Sequence, residues 1–218
     1  MKQLFVLVLL FILSCVSEET KSNNIYNKVK QKITSKSNID LPQVVLDSLK
    51  SGDIILRRGD GPLSFHLSNT TKEAFTHCGI IVKEKEEFKV IHSIGGQVSN
   101  QEIDGVQLTT LKHFVDYASD SLLYICRPIF VDSANIKITN RAYYYLEKQV
   151  PFDHRFSMLS KDKMYCSELL YYIFKDINKE QNIFVIKKKH KAYLLLFSTF
   201  FNPTNFTKIY AVKPIAIY

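Results

Sequence analysis

Tryptophan is absent, and glycine and proline are scarce, at seven and six in 218 residues. So few breakers exclude a collagen-like, linker-like or low-complexity chain. Cysteine is also sparse, and Cys15, Cys78, Cys126 and Cys166 form no C-x-x-C spacing, which removes the usual cysteine-based metal site. No metal and no cofactor enter the reading. The apolar run at the amino terminus, Leu4 to Leu13, falls well short of the ~20 residues that a bilayer-spanning helix needs.

What is present is bulk. Apolar residues make up 46% of the chain, with 15 Phe and 12 Tyr, enough for one packed domain of catalytic size. Lys2 followed by the run to Leu13 has the layout of a secretory signal peptide, assigned to residues 1–14. Ile12-Leu13-Ser14-Cys15 resembles a bacterial lipobox, making Cys15 the lipidation site; an ordinary cleaved signal with an incidental cysteine is the alternative. Residues 15–40 read as a polar tether and 41–218 as the folded domain. The expected setting is the bacterial cell envelope, with the membrane as partner through the lipid anchor. The net charge of +8 suits anionic headgroups or acidic polymers, whereas export argues against nucleic acid. The basic run Lys187-Lys188-Lys189-His190-Lys191 reads as a solvated loop.

Along the domain, Leu41 to Leu49 has helical spacing with Pro42 near its start, and Ile54-Ile55-Leu56 is a brief strand. Arg57 to Thr71 reads as an exposed loop. Thr76 to Val82 and Phe88 to Ser93 flank a charged turn and form a hairpin. Helices are expected over Thr110–Ala118, Asn135–Gln149 and Met164–Asp176, and strands over Ser121–Phe130 and Lys208–Val212.

Cys166 falls at the start of the helix over Met164–Asp176. Unsatisfied N–H groups and the helix dipole there favour a thiolate and can also face the oxygen of a carbonyl under attack. Tyr165 is a candidate additional donor. A nucleophilic cysteine needs a base, and six histidines are available. Alternation along the first hairpin strand puts His77 and Gly79 on one face, with Cys78 on the other as a packing residue. Cys126, within an apolar strand, is likewise a packing residue. If the turn is centred between Glu84 and Lys85, His77 lies opposite His92; a shift of one residue brings Ser93 there instead.

Three blocks then carry a resemblance: Ser51-Gly52-Asp53-Ile54-Ile55-Leu56, Thr76-His77-Cys78-Gly79-Ile80-Ile81-Val82, and Pro151-Phe152-Asp153 with Tyr165-Cys166-Ser167-Glu168-Leu169. From Leu49 to Phe174 the chain resembles the permuted papain-like amidases of the YiiX and YaeF type, relatives of the NlpC cell-wall hydrolases and of lecithin–retinol acyltransferase. The resemblance implies an α+β, circularly permuted papain-like fold, in which the cysteine-bearing helix packs on an antiparallel, partly closed sheet. It implies Cys166 as nucleophile, His77 as general base and then acid, and the polar residue on the adjacent strand as orienter of the imidazole. That residue is His92, where family members often carry Glu.

Asp53 and Asp153 match the blocks as structural hydrogen-bonding residues near the site, and the dipole accounts for Glu168 in the first helical turn. The reaction implied is amide hydrolysis through a Cys166 thioester, on a cell-wall peptide or an N-acyl or lipid substrate. The alternatives are a lipid-acting thiol acyltransferase and a non-catalytic module that binds a ligand in the same cleft.

Overall fold

Short strands of nearly continuous apolar residues need cover on both faces, and the fold is arranged around that need. The computed structural model describes residues 37–96, 103–130, 133–158, 161–179, 183–189 and 192–212. The expected signal peptide, Cys15, most of the tether, His190 and Lys191 lie outside the described residues.

The chain enters through α1 (Gln43–Ser48), whose preceding residue is Pro42. It continues through β1 (Ile54–Arg57), α2 (Pro62–Thr71), β2 (His77–Glu84), β3 (Glu87–Ile94) and β4 (Gly105–Thr110). Next come α3 (Leu111–Asp116), β5 (Leu123–Pro128), α4 (Ala134–Glu147) and α5 (Cys166–Ile177). A hairpin of β6 (Ile186–Lys189) and β7 (Ala192–Leu195), a 3-10 turn at Phe197–Phe201, and β8 (Phe206–Ala211) follow.

Six strands form one sheet in the order β4-β3-β2-β1-β5-β8, each neighbouring pair antiparallel. The α+β class and the antiparallel sheet are as the sequence implies. The sheet is not closed: β4 and β8 are its two edges.

One face carries Ile54, Leu56, Cys78, Ile80, Ile91 and Cys126 and packs against α4 and α5. The other carries Ile55, Ile81, Val90 and Ile125 with Val45, Leu111, Phe114 and Val115 from α1 and α3. All four residues of β1 are buried, the pattern of a central strand between two helical layers.

Two regions differ from the sequence reading. Pro62–Thr71, expected as part of an open loop, is a helix with Pro at its start and Lys72 closing it in the left-handed conformation (φ 67°). Its Ser, Asn and Thr residues are weak helix formers, so the periodic signal was faint. Lys187–Lys189, expected as loop, form most of β6, with the Lys187 Nζ donating to the Thr70 carbonyl (3.1 Å) and the Lys188 Nζ 5.3 Å from the centre of the Tyr193 ring.

At the entry to β1, the fully buried Asp53 carboxylate holds three segments together. Arg127 Nε and Nη2 donate to its two oxygens at 2.7 and 2.8 Å, the Lys50 N–H donates at 2.8 Å, and Asn135 Nδ2 reaches it at 3.3 Å. Replacing Asp53 by Ala would strand a guanidinium that keeps only 21% of its side-chain surface in water. The expected cost is about 3 kcal/mol, the lower end for breaking a buried pair because Arg127 can partly rehydrate. Urea unfolding checks this as a lowered midpoint at unchanged slope.

Candidate active site

The site sits where β2 begins. Its first residue, His77, lies opposite Arg57 on β1, and its second, Cys78, lies opposite Leu56. Alternation sends the His77 ring toward α3, where it stacks on Phe114 (5.4 Å between centroids), and sends Cys78 toward α5.

Cys166 is the first residue of α5, and its sulfur lies 4.0 Å from the Thr76 carbonyl oxygen. The Cys78 thiol donates to that sulfur, and the backbone N–H groups of Cys78, Cys166 and Ser167 face it. These donors, led by Cys78, lower the Cys166 pKa from the ordinary thiol value against the opposing effect of burial. Burial instead pushes Cys78 and Cys126 well up. The thiol of Cys78, read from the sequence as packing only, therefore touches the candidate nucleophile.

The sulfur thus meets the backbone on both sides of His77, approaching from the α5 layer while the imidazole lies on the α3 layer. Among the described residues, no hydrogen bond joins the sulfur to the imidazole.

His77 Nε2 and His92 Nδ1 are 2.9 Å apart. The turn between β2 and β3 is Lys85-Glu86, so Glu84 pairs with Glu87 and Ile80 with Ile91. Continued by one residue, this register sets Gly79, not His77, opposite His92, two positions from the expected pairing. A slip of two preserves the face, and His92 still reaches His77 diagonally. A side chain at position 79 would prevent this, because a Cβ there would stand 2.4 Å from Val90 Cγ1 and 3.1 Å from His92 Cβ. Ser93, the alternative orienter, points away and donates to the Met164 carbonyl at 2.5 Å, fixing the chain that leads into α5.

Arg57 completes the cluster and was not among the residues singled out from sequence. Its guanidinium lies 4.4 Å from the Phe114 ring centre, and Nη1 donates to the Phe114 carbonyl at 2.6 Å. Burial lowers its pKa to about 10, which leaves it a cation at neutral pH. Desolvation first, and this cation second, hold both His77 and His92 well below the usual imidazole range. The only sequence sign was a charge ending a wholly apolar strand.

Tyr165 is not available as an oxyanion donor: its O–H donates to the Tyr193 carbonyl (2.7 Å) and its N–H to Glu168 Oε2 (3.2 Å). Glu168 is fully buried at the first turn of α5, and burial raises its carboxyl to about 8. Asp153 accepts from the N–H groups of Arg155 (2.9 Å) and Ser157 (2.6 Å), shaping the loop before α5. Asp53 lies at the far end of β1 from Arg57, about 13 Å along the strand, and so outside the cluster.

The β6–β7 hairpin flanks the start of α5. Besides the Tyr165 bond, Ser167 Oγ donates to the Leu195 carbonyl at 3.4 Å. Chemically, the arrangement offers an acidified thiol among N–H donors, a neutral imidazole pair and a fixed cation. Among the described residues, no three His, Cys, Asp or Glu side chains converge as metal ligands.

The comparisons with known proteins agree with this architecture. A crystal structure described as metalloprotein yiiX from Escherichia coli O157:H7 superimposes with a TM-score of 0.62 at 19% identity. The match covers 76% of this chain and 98% of that one. A search of curated proteins finds no match. The family model described as "Permuted papain-like amidase enzyme, YaeF/YiiX, C92 family" matches residues 48–208, well over half of the sequence. This chain belongs to the C92 family of permuted papain-like amidases.

Proposed function

We propose that this protein is an exported, lipid-anchored cysteine amidase, with Cys166 as nucleophile and His77 as general base and acid. The observation that carries the reading is the position of the Cys166 sulfur, 4.0 Å from the Thr76 carbonyl and beside Cys78, on the stretch of β2 that carries His77. His92, bonded to His77 Nε2, orients the imidazole.

The sulfur adds to the amide carbonyl as the thiol proton passes to His77 through one water, and the oxyanion is held by N–H groups at the start of α5. The tetrahedral species collapses with rupture of the C–N bond, and His77 returns the proton to the departing amine. Water, deprotonated by His77, then opens the thioester to a carboxylate and restores the thiol. Because burial and Arg57 keep His77 neutral, it stands ready as a base at neutral pH. Arg57, rather than an imidazolium, is the standing positive charge near the sulfur.

The substrate class is an amide at the cell envelope, either a cell-wall peptide or an N-acyl lipid. Incubation with cell-wall fragments and, separately, with acyl-amide lipids should give an acyl adduct on Cys166 in intact mass spectra, whose mass names the acyl half. Cys166→Ala removes the adduct, and His77→Ala lowers turnover by about 10³-fold or more. Turnover that survives Cys166→Ala refutes the assignment.

Iodoacetamide labelling tests the electrostatics. Cys166 should react ahead of Cys78 and Cys126, with a rate that falls only as pH drops through a midpoint below the ~8.5 of a free thiol. Among the described residues, the groups facing that sulfur or the imidazoles include Cys78 on β2, Arg57 on β1, His92 on β3 and His113 on α3, with Tyr117, just after α3, against Arg57. Cys78→Ala removes the leading stabilising donor, so the midpoint moves up and labelling at pH 7 slows. Equal inertness of all three thiols would favour a binding module instead.

A further inference from the structure

Two buried polar atoms without hydrogen-bond partners, His92 Nε2 and Gln107 Oε1, belong to residues that face each other directly across β3 and β4. Both residues are almost wholly enclosed, at 5% and 2% exposure. Directly opposed residues of an antiparallel pair share a face and hold their Cβ atoms about 5 Å apart, within reach of a glutamine side chain.

We propose that Gln107 is the positioning residue of the histidine pair, with its Oε1 accepting the His92 Nε2–H bond, directly after a small side-chain rotation or through one water. This deepens the amidase reading and rests on it for its catalytic meaning.

A neutral imidazole has one N–H and one lone pair. The 2.9 Å contact between His77 Nε2 and His92 Nδ1 therefore admits two arrangements. In one, His77 Nε2 donates, leaving His77 Nδ1 as a lone pair and His92 Nε2 as a donor in need of an acceptor. In the other, His92 Nδ1 donates, so His77 Nδ1 carries the proton and cannot act as a base. Gln107 chooses between them. Its Nε2 faces the Ile103 carbonyl at 3.4 Å, a group that can only accept, so the oxygen is the end left over. An orphaned acceptor opposite His92 selects the first arrangement, which frees His77 Nδ1.

Nitrogen-15 NMR of the full chain with labelled histidine reads the tautomers directly, whether or not a substrate is known. His92 should be protonated at Nε2 and bare at Nδ1, and His77 protonated at Nε2. A His92 protonated at Nδ1 overturns the proposal. Gln107→Glu retains the acceptor, so it keeps the tautomer and raises the pH at which the pair protonates by about one unit through the added negative charge. Gln107→Leu should convert the single tautomer into a mixture. If Gln107→Leu does not fold, the wild-type tautomer and the Glu variant still decide. If either folded variant leaves the nitrogen shifts and the titration as in wild type, Gln107 has no such role. The expected tautomer with no acyl adduct on Cys166 would instead count against the amidase reading alone.

Discussion

Everything in this site depends on one strand being covered on both faces. Because successive residues of β2 point to opposite layers, His77 and Cys78 serve two helices at once. α3 supplies the aromatic wall behind the imidazole, and α5 delivers the sulfur to the other side of the same peptide units. A sheet open to water on one face would expose the histidine pair, raise its proton affinity and dissolve the cluster around Arg57.

The electrostatic character follows from that enclosure. A thiolate and an imidazolium would be the expected partners in a cysteine hydrolase, yet burial and a neighbouring guanidinium oppose a charged imidazole. The positive charge is supplied instead by Arg57, which keeps it at neutral pH, while burial and that cation disfavour a proton on either histidine. An imidazole pair, in place of the imidazole and carboxylate expected in many relatives, is compatible with such a site: a buried carboxylate would be attracted to Arg57 as well as to His77.

The sequence made the placement of His77 on β2 and of Cys166 at the head of α5 legible because both rest on short-range rules, alternation in a strand and polarity at a helix start. His77, Cys166 and the face of His92 followed from these. The register of the β2–β3 hairpin was two residues off, since a charged turn with Lys85 in a left-handed conformation (φ 53°) has no glycine or asparagine to mark it. The partners that come from distant segments were not legible. Arg57 meets Phe114 across 57 positions, and Gln107 lies on β4, a strand absent from the sequence reading. Tyr165 failed as a donor for the same reason: its hydroxyl is occupied by Tyr193, 28 residues on.

The bond from Ser93 to the Met164 carbonyl has a mechanical consequence. The strand that holds His92 also grips the chain just ahead of Cys166, so the hairpin and the head of α5 are pinned together beside the sulfur and the histidine pair. A shift of the hairpin would pull on Met164, two residues ahead of the Cys166 sulfur. The separation of Cys166 from the histidine pair is thereby tied to how the head of α5 packs on the sheet.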